Sequence, residues 1–355
     1  MKGINIKNVA EIAHVSISTV SRVLNHSANV SEELKKRVYD AIEETNYRVN
    51  PIASSLKSAR SNEIAIVLPS LKQTYYTDII KGLSDYCYEQ EITPIILETS
   101  ADVEKEKTIA ANLEKQWVDG IIFIPSKNAR TPGYAEFIES LGHLKKQDSR
   151  IPVVLAECEG LGESMDCVRV DYEKAFYKMT YHLLEIGRKR IGYLSAPDSS
   201  PLYEICKEAY CEALHDWNCP LDEKLIEHSS YTILGGYEAM KRLLQRVSDV
   251  DGIICCNDQI ASGALHALKE FGGKKAERVA IVGFGGVAMS VITTPSITTM
   301  IAPRHDMGYK AAELLLKRIN GNSEPPQKLI LPSHMAIRSS TLKSSFKNLA
   351  AMFDE

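Results

Sequence analysis

Ser16, Ile17, Ser18, Thr19, Ser21 and Arg22 lie within one short stretch, and their side chains are short or base-reading, the kinds that let a helix enter a DNA major groove. Such chemistry needs a helix with one buried face. Val20, Val23 and Leu24 supply that face at the 3.6-residue period, and Val9, Ala10, Ile12 and Ala13 do the same for a helix just before it. Between the two, His14-Val15-Ser16 reads as a tight turn in which Val15 plugs the core. Ser16 caps the second helix by accepting from an N–H near Ser18 or Thr19. A third helix is expected from Glu32 to Thr45, capped by Ser31, with Glu32 and Glu33 at its positive end and Leu34, Val38, Ala41 and Ile42 turned inward.

From Asn62 onward, apolar strands alternate with amphipathic helices, the pattern of parallel α/β structure. Strands are predicted at Ile64–Pro69, Thr93–Leu97, Gly120–Pro125, Pro152–Ala156, Arg190–Ser195, Gly252–Cys256 and Val279–Phe284, with shorter ones at Val168–Val170 and Lys328–Leu331. Two doubly wound lobes account for the length. Ligands of open parallel sheets bind beyond the carboxyl ends of the strands, so the candidate pocket is the cleft between the lobes. The strand ends offer Tyr75, Tyr76, Ser126, Glu157, Asp171, Tyr203, Asn257, Asp258 and Phe284 as effector-binding candidates. Aromatic faces beside carboxylates and amides suit a neutral polyhydroxyl or heterocyclic solute, with a sugar first. Asn257 and Asp258 also sit where a helix begins, which suits plain caps.

The 355 residues suffice for two or three cores, and 44% hydrophobic with 25% charged residues is ordinary for a globular chain. Net charge is −4, but residues 1–60 carry nine Lys plus Arg against six Asp plus Glu, so the head is basic and the remainder acidic. Such segregation orients a molecule on phosphate. The eight Cys show no CxxC pair or zinc spacing and read as reduced core residues. No signal peptide and no run of membrane-spanning length is visible, so a cytoplasmic location is expected. Neither GxSxG, a P-loop, HExxH nor an EF-hand pattern occurs, which argues against an enzyme and against a cofactor or metal.

The stretch Asn8 to Asn25, NVAEIAHVSISTVSRVLN, with the run Val30 to Tyr47 after it, resembles the start of a LacI/GalR-family bacterial regulator, and the resemblance spans almost the whole chain. It implies a helix-turn-helix head at 1–48 with Asn25 among the DNA contacts. A hinge helix and linker follow at 49–61, then an effector-binding and dimerisation domain of periplasmic-binding-protein-like architecture at 62–340 and a tail at 341–355. The lobes are expected at about 62–161 with 293–322 and about 162–292 with 323–340. In the hinge, Asn50 can cap and Pro51 suits a first turn, but the segment is too short to be stable alone. In the resembled family it pairs with its twin, and a Leu at the position of Leu56 wedges into the minor groove.

The implied partners are a near-palindromic operator, a small-molecule effector and a second copy of the chain, without a membrane. The tail stripe Leu342, Phe346, Leu349 and Phe353 makes a tetramer the lesser alternative. Two features depart from the family's sugar-binding members: Gly285-Gly286 stand where an Asp is usual, and Cys206 lies near the place of a usual Arg. The resemblance thus implies an effector other than a hexose held in the usual way: smaller, aromatic or absent. Rival readings are a body that serves only as a dimerisation scaffold, and a cytoplasmic sugar-binding protein with an incidental helical head.

Overall fold

The computed structural model describes residues 5–24, 30–45, 47, 60–116, 118–146, 149–271, 273 and 278–342. Asn25, Leu56 with the rest of the hinge segment from Asn50 to Lys57, and the tail stripe beyond Leu342 lie outside the described residues. The chain divides into two compact units, Met1–Ser61 and Asn62–Glu355.

In the first unit, α1 (Ile6–Ile12), α2 (Ile17–Leu24) and α3 (Glu32–Thr45) close a core centred on Val9, Val20, Val23 and Val38. Asn5 and Asn8 cap α1 reciprocally, Lys7 N donating to Asn5 Oδ1 at 2.9 Å and Asn5 N to Asn8 Oδ1 at 3.0 Å. Ile12 was expected inside but is 41% exposed, because the inward stripe of α1 continues through Ala13 in the turn. His14 adopts φ 50°, the left-handed conformation that reverses the chain. Arg37 of α3 fastens this turn, donating to the carbonyls of Ala13 at 2.7 Å and His14 at 3.0 Å, which α1 leaves without helical partners.

The second unit contains strands β1 (Glu63–Leu68), β2 (Thr93–Glu98), β3 (Gly120–Phe123), β4 (Lys145–Lys146), β5 (Ser149–Arg150), β6 (Val153–Ala156) and β7 (Asp166–Val170). It continues with β8 (Ile191–Ser195), β9 (Ile226–His228), β10 (Gly252–Cys255), β11 (Ala280–Gly285), β12 (Thr298–Ile301), β13 (Lys328–Leu331) and β14 (His334–Ala336). One sheet runs β13-β7-β6-β3-β1-β2 and the other β14-β12-β11-β10-β8-β9, while β4 and β5 form a separate hairpin. All pairings in the two large sheets are parallel except β12 with β14. The central strands are buried on both faces, which explains their continuous Ile/Val/Leu runs.

The passages between the lobes lie later in the chain than expected. Residues 162–170 belong to the first lobe, since β7 pairs with β6 and β13, and β12 belongs to the second. Crossings therefore fall after Val170, after Ile301 and between Leu331 and His334. The glycines beside the expected boundaries mark turns within a lobe. Gly160 (φ 63°) and Gly162 (φ 60°) fold the chain back so that β7 lies beside β6, and Gly321 (φ 92°) follows the end of helix Arg304–Ile319. Residues 287–294 hold the short helix Ala288–Ile292, tied at its end by Ile297 N donating to Ser290 O at 2.7 Å.

Candidate functional site

The head offers one surface with reading chemistry. Val20 and Val23 turn α2 inward, leaving Ile17, Ser18 and Arg22 exposed and Ser21 half-buried on the opposite side. Ser16 Oγ accepts from Thr19 N at 3.1 Å and also meets the hydroxyls of Ser18 at 2.6 Å and Thr19 at 2.9 Å. Three hydroxyls thus cluster at the positive end of a helix, where backbone N–H groups and the dipole favour phosphate or a base acceptor.

In the body, a cleft enclosing about 810 Å³ of atom-free space, open solvent included, lies at the carboxyl ends of the strands. Tyr75, Tyr76, Ser126, Glu157, Asn257 and Phe284 of the expected set line it together. The first lobe brings Tyr75 and Tyr76 at the start of helix Tyr75–Glu89, Ser126 beyond β3 and Glu157 directly after β6. Buried Tyr134 places Ser126, accepting from its backbone N at 2.9 Å while donating to Glu106 at 2.7 Å. The second lobe contributes Phe284 within β11 and Asn257 just past β10.

Glu157 stands at the junction of the lobes. Oε2 accepts from Tyr75 at 3.2 Å and from Tyr172, the first residue beyond the first crossing, and the two phenol oxygens are 3.2 Å apart. The residue is 4% exposed, and burial pushes its carboxyl up to about 8. Burial, followed by the neighbouring Glu157, also raises the Tyr75 and Tyr76 phenols. Oε1 of Glu157 lacks a hydrogen-bond partner, as does the buried Tyr193 OH, so two polar atoms of cleft-lining residues are left for a ligand.

Three expected residues fall outside the lining. Asp171 caps helix Tyr172–Glu185, accepting from Lys174 N at 3.0 Å. Tyr203 is buried with its ring 5.4 Å from that of His228. Asp258, 1% exposed, accepts from Thr299 Oγ1 at 2.6 Å and Val287 N at 2.8 Å. Burial pushes its carboxyl up to about 6, and its two bonds fix the β11–β12 end of the sheet. Asn257 both lines the cleft and caps a helix, accepting from Ile260 N at 2.8 Å.

Sequence reasoning missed Tyr172, Phe176, Tyr193, Tyr231 and Ser200. Tyr172 and Phe176 are one helical turn apart immediately after Asp171, so the strand-end rule stopped one residue short of them. Tyr193 lies inside a strand, and Tyr231 follows the three-residue β9, too short to show a period.

The two units match separate family models. Residues 61–340 match periplasmic binding proteins and sugar binding domain of LacI family, and residues 5–50 match bacterial regulatory proteins, lacI family. The chain belongs to the LacI family. It is a DNA-binding transcriptional regulator and not an enzyme. LacI-family relatives include the HTH-type transcriptional regulator RegA of Clostridium acetobutylicum, 35% identical over 328 residues, covering 90% of this chain and 94% of that protein. Catabolite control protein A of Priestia megaterium is 29% identical over 339 residues, 95% of this chain and 99% of its own. Among solved structures, the transcriptional regulator CelR–cellobiose complex aligns with TM-score 0.71 and 26% identity, covering 95% of this chain and 99% of that one. The Lac repressor dimer bound to operator and the anti-inducer ONPF shares the fold, with TM-score 0.84 at 22% identity over 96% of this chain and 100% of that one. Among the described residues, no helix is long and apolar enough to cross a membrane and no cluster of side chains suits a metal ion. The eight cysteines are unpaired, six of them buried.

Proposed function

We propose that this regulator binds a near-palindromic operator as a homodimer and that a small solute in the inter-lobe cleft sets its grip, most simply as a repressor working beside the chromosome in the cytoplasm. The observation that carries the reading is the cleft itself, whose lining includes two buried polar atoms without partners, in the same chain as a helix-turn-helix head. Unpaired buried polar atoms cost roughly 1 to 3 kcal/mol each, so a ligand that satisfies them is bound favourably. Ser16, Ile17, Ser18, Thr19, Ser21, Arg22 and Asn25 are the major-groove contacts, and Leu56 is the minor-groove wedge. A solute alters operator affinity only through its differential affinity for two lobe arrangements, typically about 1 to 3 kcal/mol of coupling.

CelR is described with cellobiose, and a carbohydrate is accordingly the first solute class to try. The absence of an Asp at Gly285-Gly286 favours a second reading, a body kept only as a dimerisation scaffold. The test joins operator selection from random duplexes with a thermal-shift screen of sugars, nucleobases, polyols and amines. A specific duplex whose retention changes with a stabilising solute supports the proposal. Equal binding to every duplex, or a monomer by light scattering, overturns it. Leu56→Ala is expected to lower specific operator affinity strongly while leaving solute binding intact.

A further inference from the structure

The lining of the cleft contains one carboxylic acid and, among the described residues, no Lys, Arg or His. Seven aromatic rings are the largest single group among the rest. Phe284 is central to them, with ring centroids 5.1 Å from Tyr172, 5.6 Å from Phe176 and 6.2 Å from Tyr75. An anionic ligand would meet Glu157 with no cation in the lining to hold it, and Arg304, 5.9 Å from the Tyr75 ring centroid, is already paired with Asp78 at 2.5 Å. Arg169, on the adjacent strand, is paired with Glu159 at 2.5 Å and donates to the Val170 carbonyl at 3.0 Å. A sugar would find Glu157 Oε1 and Tyr193 OH unpaired, which is few partners for its many hydroxyls. Ser200 Oγ is already joined to Tyr231 OH at 2.6 Å, and Asn257 Oδ1 serves its helix cap. Hydroxyls left against aromatic faces go unpaired.

Resting on the effector-site reading above, we infer that the cleft takes an organic cation, an alkyl- or arylalkyl-ammonium whose charge faces Glu157 Oε1 and whose carbon substituents lie against the surrounding rings. Aromatic faces attract such cations, most strongly where both are desolvated, and the buried carboxylate supplies the counter-charge. The carboxyl holds its proton at neutral pH in the unliganded cleft, because burial pushes it up to about 8. A cation beside it favours the carboxylate, so binding expels that proton to solvent. The groups facing Glu157 are Tyr75 and Tyr76 from one helix, Tyr172 and Cys206 from two others, Cys158 beside it, and Cys167 and Arg169 from β7. Burial raises Tyr75, Tyr76 and Cys206, so none of these three takes up the released proton near neutrality.

The test is calorimetric titration of the full-length protein at pH 7, in two buffers of different ionisation enthalpy. The probes are choline, its uncharged isostere 3,3-dimethylbutan-1-ol, tetramethylammonium, benzylamine, glucose and cellobiose. At least one cation is expected to bind, choline about ten-fold or more tighter than its isostere, with release of most of one proton. Glu157→Gln is expected to abolish the release and weaken cation binding about ten-fold. Glu157→Asp, which keeps the charge, should recover part of the preference, and circular dichroism verifies that both variants fold. Equal affinity for choline and the isostere, cation binding without proton release, or unchanged binding by Glu157→Gln overturns the assignment. Binding of a sugar but of no cation also overturns it while leaving the effector-site reading standing. If neither these probes nor any solute of the thermal-shift screen binds, both fall.

Discussion

In the head, the side chains that would meet DNA stand in water: Ile17 is 43% exposed, Ser18 and Arg22 are exposed, and the partner must come to them. In the body the order is reversed. Glu157 is 4% exposed and Tyr193 fully buried, and a ligand must enter to reach their free oxygens. A contact made at a wet surface replaces water by a partner and gains a modest amount, whereas one made inside relieves a desolvation already suffered on folding. The head is therefore vulnerable chiefly through the small core that presents its surface, and the body through individual buried atoms.

The largest expected effect follows from the head's core. Val20 has no exposed surface and packs with Val9, Val23 and Val38. Val20→Asp buries a carboxylate without a partner, on the order of 3 kcal/mol or more, comparable to what so small a core supplies. Operator binding in a gel shift is expected to vanish while the thermal transition of the body, followed by calorimetry, stays where it was. Loss of both together would show that the two regions do not fold independently, and the comparison would break.

Arg22→Ala sharpens the same contrast from the surface side. Arg22 is exposed and outside the core, so the variant should melt like the parent. It is expected to cost about 1 to 3 kcal/mol of operator affinity and to relax preference at one base position, measured by competition among single-base variants of the operator. A loss uniform across sequences would make Arg22 a phosphate contact instead.

The same contrast governs how much could be read from the chain. Among its described residues the head was legible almost one by one, because its caps, turn and apolar stripes are local, and there only Ile12 was misplaced. The alternation of strands and helices was legible too, since β1, β3, β6, β8, β10 and β11 are continuous apolar runs. The lobe boundaries were not, because Gly160, Gly162 and Gly321 mark turns and a sequence does not say whether the chain returns to the same sheet. In the cleft, strand ends pointed to Glu157 and Tyr75, yet Tyr193 and Tyr231 reach the same space through pairings distant in sequence.

A smaller effect is expected where the lobes meet at the far side of the cleft. Asn128, 6% exposed and beyond β3, donates from Nδ2 to the carbonyls of Asp198 at 2.6 Å and Ser200 at 3.2 Å, and from its backbone to Ser199 at 2.8 Å. These bonds join the two lobes in the arrangement seen. Asn128→Ala removes the side-chain pair and should shift the balance away from this arrangement by about 1 kcal/mol. The readout is a several-fold change in solute affinity with an unchanged far-ultraviolet spectrum. No change in affinity would mean that solute binding does not discriminate between lobe arrangements through this contact.

The smallest expected effect is a slope of stability against pH. Glu157 has a folded value raised from 4.5 to about 8, so over that interval the folded state holds a proton that the unfolded chain has released. Stability from this group is full below the lower value and falls as pH rises to the upper one. Asp258 acts in the same sense but only up to about 6, while His182, lowered from 6.5 by burial, acts in the opposite sense below 6.5. Between pH 6.5 and 8, Glu157 is the one of the three that still titrates. The body's melting temperature should therefore decline across that window in the parent and run flatter in Glu157→Gln. Because the head has no counterpart of such a buried acid among its described residues, its own transition should not follow the slope. Parallel declines in parent and variant would trace the pH dependence to other groups and leave Glu157 ionised in the empty cleft.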